Sequence, residues 1–298
     1  MILASLLAQA IRGRKLHVGK LEPSLQKVAV FALTKRLGLV EGEFRGRLVK
    51  EELGVALLKG KGEDKADLSV GKGGELPFVP PKVPQFVLDF SLWNELTDEE
   101  RRKTLFQVEM AIATIRKYLW EGNLRLANVP EGVRLPYRFA EEPVEGECVV
   151  LDPKGDVARE EDLREAQVYV VGAVVDKGRR LKDATARLAE RAGYDCPRLR
   201  ITLFGSVIGV PDEINKIVDI VMRVRLGEGL NEAILANASK SDLLARVRFE
   251  KSRGNKELVE LLRSKLLERK SLIQRGLKGP SIGGPRQQVN DQGRHKGG

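Results

Sequence analysis

Residues 168–180 read VYVVGAVVDKGRR, and this stretch decides the fold class. The part from Val168 to Val175 is apolar on both faces of an extended chain. That pattern is typical of a central strand in a parallel sheet that helices cover on both sides. A carboxylate, Asp176, and three cations follow directly where such a strand would end. The stretch therefore predicts a buried parallel strand whose carboxyl end carries polar groups.

Short apolar runs alternate with helical patterns between residues 85 and 226. This alternation is typical of an α/β fold with a parallel sheet. The other predicted strands are Phe86–Phe90, Leu124–Val129, Cys148–Leu151 and Leu199–Leu203.

Two helices carry clear boundary signals. Thr97 with Glu100 three residues later predicts a capping box at the start of the first helix, and Gly122 is expected to end that helix in the left-handed conformation. The second helix is predicted to begin at Pro211, because proline lacks the N–H that the first turn of a helix leaves unpaired. The predicted buried face of the second helix is Ile214, Ile217, Val218, Val221 and Val224.

Composition excludes several classes of protein. Of the 298 residues, 42% are apolar and 32% are charged, and no run approaches the roughly 20 apolar residues of a membrane span. The cysteines Cys148 and Cys196 and the histidines His17 and His295 are too few for a disulfide scaffold, a zinc finger or a His/Cys metal cluster. We therefore expect a cytoplasmic protein with reduced cysteines, no metal and no membrane attachment.

The net charge of +10 is unevenly distributed along the chain. Residues 1–80 carry a net charge of +5, residues 81–230 carry −3 and residues 231–298 carry +8. Basic flanks around a near-neutral centre indicate a catalytic or folding module carried by arms that bind a polyanion, although a generic basic surface has the same composition. We predict an N-terminal domain (1–80) that binds a polyanion such as RNA, a central domain (81–230), a helical domain (231–275) and a disordered basic tail (276–298), with a proline-rich boundary at 77–84.

The carboxyl ends of the strands are the predicted ligand site. In an open parallel sheet ligands bind beyond these ends, and glycines there let a ligand approach the backbone closely. Three such ends carry glycine or aspartate, at 151–153, 172–180 and 203–211. Gly60-Lys61-Gly62 and Gly71-Lys72-Gly73-Gly74 lack the spacing of a phosphate-binding loop, and we predict flexible loops there.

Asp176 is the candidate proton acceptor, and Lys177, Arg179 and Arg180 are candidate contacts for an anion. An ordinary aspartate at the start of a helix, followed by solvated cations, explains the same residues. The spacing alone leaves both interpretations open.

Several segments together resemble a known family. They are residues 171–180 (VGAVVDKGRR), residues 203–216 (LFGSVIGVPDEINK), Gln107 and residues 116–124 (RKYLWEGNL). In this order they resemble the archaeal branch of the tRNA position-9 purine N1-methyltransferases, in the SPOUT superfamily. The resemblance covers about residues 80–226 and is weaker over the first 80 residues.

The resemblance implies a parallel α/β sheet with a C-terminal trefoil knot and S-adenosylmethionine as the cofactor. It implies that Asp176 is the general base, that Asp89, Asp212 and Gln107 support it, and that tRNA is the partner. The cofactor-binding positions that it implies are Leu151, Gly172, Ala173, Asp176, Leu203, Gly205, Ser206, Ile208, Gly209 and Val210. The RNA-binding positions that it implies are Arg116, Lys117, Lys177, Arg179 and Arg180.

The expected reaction is methyl transfer to N1 of purine 9, with adenine preferred over guanine, by a monomer. Two alternatives stay open: a SPOUT methyltransferase acting on another RNA site, and a non-catalytic RNA-binding protein. Trp93 and Trp120 are candidate base-stacking platforms, but packing against the helices is the favoured interpretation.

Overall fold

The computed structural model describes residues 1–175 and 184–274, which fall into two compact units, Met1–Asp242 and the part from Leu243 onward. The strands are β1 (Lys15–His17), β2 (Gly38–Glu52), β3 (Val55–Gly71), β4 (Gln85–Asp89), β5 (Leu124–Ala127), β6 (Cys148–Val157), β7 (Val168–Gly172) and β8 (Arg198–Arg200). The helices are α1 (Ile2–Ala10), α2 (Leu25–Lys35), α3 (Asp98–Ile115), α4 (Glu160–Glu165), α5 (Ala184–Ala192), α6 (Ile214–Arg225), α7 (Leu230–Asn237), α8 (Lys240–Ser252) and α9 (Lys256–Gln274).

The N-terminal region packs α1 and α2 beside a three-stranded sheet of order β1-β3-β2. Gln26 of α2 is buried and links this region to the turn that follows α3. Its amide oxygen accepts a hydrogen bond from the backbone N–H of Ala4 at 3.1 Å, and its amide nitrogen donates to the carbonyl oxygens of Arg116 and Leu119, each at 3.1 Å. One side chain thereby connects three segments of the unit.

The prediction of a flexible loop at Gly60-Lys61-Gly62 is wrong, because these residues lie inside the 17-residue strand β3. The register of β3 against β2 breaks here, and residues on both sides of the break pair with β1. Gly60 has φ +67°, and a Cβ on Gly62 would collide with the backbone of Gly46. The glycines therefore allow a bend within a strand. The second predicted loop begins at Gly71, the last residue of β3, and continues into a turn.

The predicted parallel sheet is confirmed, with order β5-β4-β7-β6-β8 and every pair parallel. The central strand ends at Gly172 rather than Val175. One face packs against Leu188 and Ala189 of α5. On the other face the hydroxyl of Tyr169 accepts a hydrogen bond from Arg225 of α6 at 2.8 Å. Helices therefore cover both faces of the sheet, as the continuous apolar run predicts.

The start of α3 is confirmed and its end is not where the sequence pattern puts it. Thr97 and Glu100 form the predicted capping box. The helix ends at Ile115, and Gly122 lies in a short 3-10 turn (Glu121–Asn123) without a positive φ. A Cβ on Gly122 would collide with the indole of Trp120. This glycine is therefore needed for close packing and not for a left-handed helix end.

Helix α6 begins at Ile214, three residues after the predicted Pro211. Its buried side chains include four of the five predicted ones, and Ile217 is half-buried. The late start leaves residues 211–213 outside the helix, in the segment that joins it to the loop before it.

The two cysteines form a disulfide, which corrects the expectation that they are reduced. Cys148 opens β6, and Cys196 precedes β8, which pairs with β6. Disulfides are rare in intracellular proteins of mesophiles, but those of hyperthermophiles are a genuine exception. The cytoplasmic location, which was expected together with reduced cysteines, stays a prediction.

None of the helices in the described ranges has the length and apolar content to cross a bilayer.

Candidate active site at the carboxyl edge of the sheet

Two neighbouring strands, β4 and β7, end side by side at this edge. Asp89 and Gly172, their last residues, are paired in register. The carbonyl oxygen of Asp89 accepts a hydrogen bond from the backbone N–H of Ala173 at 2.8 Å. The sheet therefore brings together three of the predicted site residues, Asp89, Gly172 and Ala173.

Asp89 is completely buried, and donors surround its carboxylate. Oδ1 accepts from the backbone N–H of Ser91 at 2.7 Å. Oδ2 accepts from the side-chain amide of Asn128 and from the hydroxyl of Tyr194, each at 2.6 Å. Such a carboxylate holds neighbouring segments together, and the supporting role that the resemblance implies for it stays a prediction.

Tyr194 and Asn128 belong to the candidate active site through their bonds to Asp89, although no sequence pattern predicts them. Burial raises the pKa of the Tyr194 hydroxyl, and its hydrogen bond to Asp89 adds to the shift. The tyrosine therefore stays protonated and remains a donor. It lies 105 positions from Asp89 along the chain, so no local pattern could have paired them.

The predicted strand end at residues 151–153 is not an end, because β6 bulges there and continues to Val157. Leu151 is buried and pairs with Leu199 of β8. The buried carboxylate of Asp152 accepts a hydrogen bond from Nε of Arg198 at 2.7 Å. Asp152, the aspartate on which the predicted strand end was based, is therefore part of an ion pair between β6 and β8.

The loop after β8 is tightly turned. Leu203 and Ser206 exchange backbone hydrogen bonds at 2.8 and 3.1 Å, while Phe204 and Gly205 between them have φ values of +45° and +77°. The hydroxyl of Ser206 then accepts from the backbone N–H of Ile208 at 3.1 Å. These hydrogen bonds and positive φ values define the backbone path of the loop.

The two glycines of this loop, Gly205 and Gly209, both have a positive φ, which is +89° at Gly209. A Cβ on Gly205 would meet nothing within 4 Å. The φ of Gly205 gives a conformational reason for glycine here, since side chains disfavour this region of φ, and the close approach of a ligand stays a prediction. The space around Gly172, unlike that around Gly205, is occupied by protein atoms, because a Cβ on Gly172 would lie 3.3 Å from the side chain of Leu188 in α5.

Gln107 stabilises the start of α6. Its amide oxygen accepts from the backbone N–H of Ile214, the first residue of the helix, at 3.0 Å. Asp212, two residues earlier, is exposed. Gln107 thus brings α3 next to the segment that follows the 203–210 loop.

Arg116 and Lys117, predicted to contact RNA, both lie near carboxylates of this chain. Arg116 donates two hydrogen bonds to buried Glu121, at 2.8 and 2.9 Å, and Thr34 of α2 donates a third at 2.7 Å. Burial alone would raise the pKa of Glu121, but the bonds from Arg116 and Thr34 outweigh burial and lower it. Lys117 Nζ lies 3.8 Å from Oδ1 of Asp219. The Arg116–Glu121 pair connects α2 to the end of α3.

Asp176, Lys177, Arg179 and Arg180 lie outside the described residues. Among the described residues, no group of three or more His, Cys, Asp or Glu side chains could hold a metal ion.

The two tryptophans are engaged in packing. The guanidinium of Arg138 lies 5.6 Å from the Trp120 ring centroid, and Gly122 packs closely against the same indole. Trp93 contacts Phe90, with Arg101 over its ring. The favoured interpretation, packing, agrees with these contacts.

A cavity of about 920 Å³ lies at the opposite edge of the sheet. Its lining includes Gln85 at the start of β4 and Gly122 just before β5. It is therefore separate from the carboxyl edge where the predicted site residues meet.

Comparison with known proteins gives one consistent result. Residues 1–71 match the family described as tRNA (adenine(9)-N1)-methyltransferase N-terminal domain. The chain is 40% identical over 276 residues to the tRNA (adenine(9)-N1)-methyltransferase of Sulfolobus acidocaldarius, covering 87% of this chain and 92% of that protein. It is 28% identical over 202 residues to the tRNA (guanine(9)-/adenine(9)-N1)-methyltransferase of Thermococcus kodakarensis, covering 60% and 54% of the two chains.

A solved structure agrees with the sequence matches. Sulfolobus acidocaldarius Trm10 in complex with S-adenosylhomocysteine superposes with a TM-score of 0.75 at 35% identity, over 94% of this chain and all of that one. The fold is therefore that of a Trm10-type methyltransferase. The chain belongs to the tRNA (adenine(9)-N1)-methyltransferase family.

Proposed function

We propose that this chain transfers the methyl group of S-adenosylmethionine to N1 of the purine at position 9 of tRNA, with adenine preferred over guanine. The observation that carries the proposal is the 40% identity to a tRNA (adenine(9)-N1)-methyltransferase over 92% of that protein's length. The described sheet supports it, because its carboxyl edge carries a buried carboxylate next to strand ends.

The described residues of the 203–210 loop fit the adenosine part of S-adenosylmethionine, which is uncharged at neutral pH. Residues 203–210 include no charged side chain, and the half-buried Ile208 and Val210 stand beside the exposed backbone of Gly205. We place the cofactor against this loop and against Gly172 and Ala173, where it supplies an activated sulfonium methyl group. A preformed loop suits this role, since ordering it on binding would lower affinity.

Proton handling falls to Asp176 in this proposal. N1 of neutral guanine carries a proton that a base must accept, whereas N1 of adenine offers a lone pair and becomes cationic on methylation. A carboxylate serves both purines, as a proton acceptor for guanine and as a counter-charge for methylated adenine. Asp89 cannot replace it, because three donors already engage its two oxygens.

Several finer features belong to the same proposal. We infer a trefoil knot in the C-terminal part of the central domain, a monomer, and a cytoplasmic location. The domain division at residues 80 and 230 and the RNA contacts of Arg116, Lys117, Lys177, Arg179 and Arg180 are likewise proposed. The family relationship and the position-specific resemblance support them.

The direct test is mass spectrometry of nucleosides from tRNA incubated with the enzyme and S-adenosylmethionine. We expect 1-methyladenosine from a transcript with A9, a smaller yield of 1-methylguanosine from its A9-to-G9 variant, and no product from an A9-to-U9 variant. Methylation of all three transcripts would indicate another RNA site. Absence of both product and calorimetric heat with the cofactor would indicate a non-catalytic RNA-binding protein.

A further inference from the structure

The corner between α8 and α9 presents a cluster of exposed cations. Arg248, Lys251, Arg253 and Lys256 lie within nine residues, and all four are exposed. None of them forms an ion pair with another described residue, although many other surface cations of the chain do. This corner therefore carries positive charge that no described carboxylate neutralises.

The corner is held in one conformation by hydrogen bonds. Glu250 is buried, and its carboxylate binds Nη2 of Arg246 at 2.8 Å and the side-chain amide of Asn255 at 3.1 Å. The backbone N–H groups of Arg253 and Asn255 both donate to the Glu250 carbonyl oxygen at 3.1 Å, and Gly254 supplies a positive φ of +72°. The cations therefore project from a fixed turn.

Phe249 orients one of the four cations. The guanidinium of exposed Arg253 lies 5.4 Å from the Phe249 ring centroid. Buried Arg246 also lies 5.4 Å from this centroid. A guanidinium that is oriented in advance loses less freedom when it binds an anion.

Local helix stability does not explain the cluster. Cations near the end of α8, such as Lys251 and Arg253, are favoured by the helix dipole. Lys256 is the first residue of α9, where the same dipole disfavours a cation, and Arg248 lies in the interior of α8. Residues 243–274 hold nine lysines and arginines against four glutamates. An excess of this kind is what a polyanion partner requires.

We propose that the α8–α9 corner, defined by Arg248, Lys251, Arg253 and Lys256, binds the phosphate backbone of tRNA. The contacts are independent of the RNA sequence and add affinity without taking part in methyl transfer. The identity of the RNA rests on the proposed function, whereas the phosphate chemistry rests on the corner itself.

The test compares two variants with equal loss of charge. In the corner variant, Arg248→Gln, Lys251→Gln and Lys256→Gln are combined, and Arg253 is kept because it packs on Phe249. The control combines Lys103→Gln, Arg159→Gln and Lys265→Gln, which remove cations already paired with Glu99, Asp162 and Glu268. Affinity for tRNA is measured over 50–300 mM salt with S-adenosylhomocysteine present, and thermal melting checks that both variants fold.

The corner variant is expected to lower the slope of log K against log salt by about 2 to 3, because each lost phosphate contact removes about 0.7–0.9. The control should change the slope by less than one unit. Equal slope changes in the two variants, or no change in either, would overturn the proposal. Nucleoside mass spectrometry of tRNA treated with the wild-type enzyme tests the proposed function separately. If position 9 is methylated but the corner variant leaves the salt slope unchanged, only the proposal for the α8–α9 corner is contradicted.

Discussion

The hydroxyl of Tyr194 donates a 2.6 Å hydrogen bond to Oδ2 of Asp89, across 105 positions of the chain. Asp89 is the last residue of β4, and Tyr194 follows α5. This bond ties the end of a central strand to the segment after the helix that covers it.

Replacing Tyr194→Phe should remove this donor and keep the ring. We expect a loss of about 1–3 kcal/mol in the free energy of unfolding, because a buried acceptor loses a partner. We also expect a lower kcat for methyl transfer, since Asp89 lies at the edge where the reaction is placed. Tyr118→Phe is the matched control, because that hydroxyl donates at 2.8 Å to buried Asp219, away from this edge. Equal activity losses would show that stability alone is responsible.

Reducing the Cys148–Cys196 disulfide should destabilise the protein. Its cysteines are 48 positions apart, and closing a loop of that length restricts the unfolded chain by about 4 kcal/mol at most in the chain-entropy model. Thermal melts with and without a reductant measure the effect, and the Cys148→Ser/Cys196→Ser double variant should not respond to reductant. Two titratable thiols in the protein as purified would contradict the disulfide.

The Arg116–Glu121 pair should contribute to stability at neutral pH and lose that contribution in acid. The pKa of Glu121 lies below its ordinary value of 4.5 in the folded state. Stability from this pair is therefore present above pH 4.5 and is lost as the pH falls through the folded-state pKa. Urea unfolding between pH 7 and pH 3 should show a shallower acid decline for Glu121→Gln than for the wild type. A parallel decline in both proteins would mean that the pair makes no net contribution.

Two substitutions at Gly205 should show whether cofactor affinity depends on the backbone conformation of this residue or on the size of its side chain. Its φ of +77° suits asparagine better than valine, so Gly205→Val should weaken S-adenosylmethionine binding more than Gly205→Asn. Calorimetry measures both affinities. Gly227→Val is the control, because φ there is +96° in a different turn, and it should reduce stability without changing cofactor affinity. Normal cofactor affinity in both Gly205 variants would remove this loop from the proposed site.

Asp176→Asn should slow methylation of G9 transcripts by about 10²–10⁴-fold, the usual contribution of a general base. A9 transcripts should lose less, because adenine N1 has no proton to remove. Affinity for tRNA should stay within about twofold. Asp98→Asn, at an exposed carboxylate with no role assigned at the site, is the control and should leave both rates unchanged. Unchanged rates on both transcripts would show that Asp176 is not the base.

Local patterns predicted the parts of the fold that local physics determines. The Thr97–Glu100 capping box and the apolar runs that predict the strands are patterns of residues a few positions apart. The capping box and the parallel sheet are both confirmed. The glycines at Gly60-Lys61-Gly62 predict a loop where β3 bends, because glycine favours both loops and bends within strands. Only the pairing of β3 with β1 and β2 shows that this segment is a bent strand.

Long-range contacts in the candidate site could not be predicted in the same way. The spacing of Asp89, Asn128 and Tyr194 along the chain does not predict that they share a hydrogen-bond network. Nor does the spacing of Cys148 and Cys196 show that β6 and β8 bring them together. The resemblance supplied the site positions, and the structure shows how Gln107 and Arg116 are held within the chain.

The buried amide of Gln26 joins the first helix, the second helix and the turn beyond α3 through three hydrogen bonds. Because these segments share one anchor, a substitution that removes the amide would loosen the N-terminal region from the turn beside the central sheet.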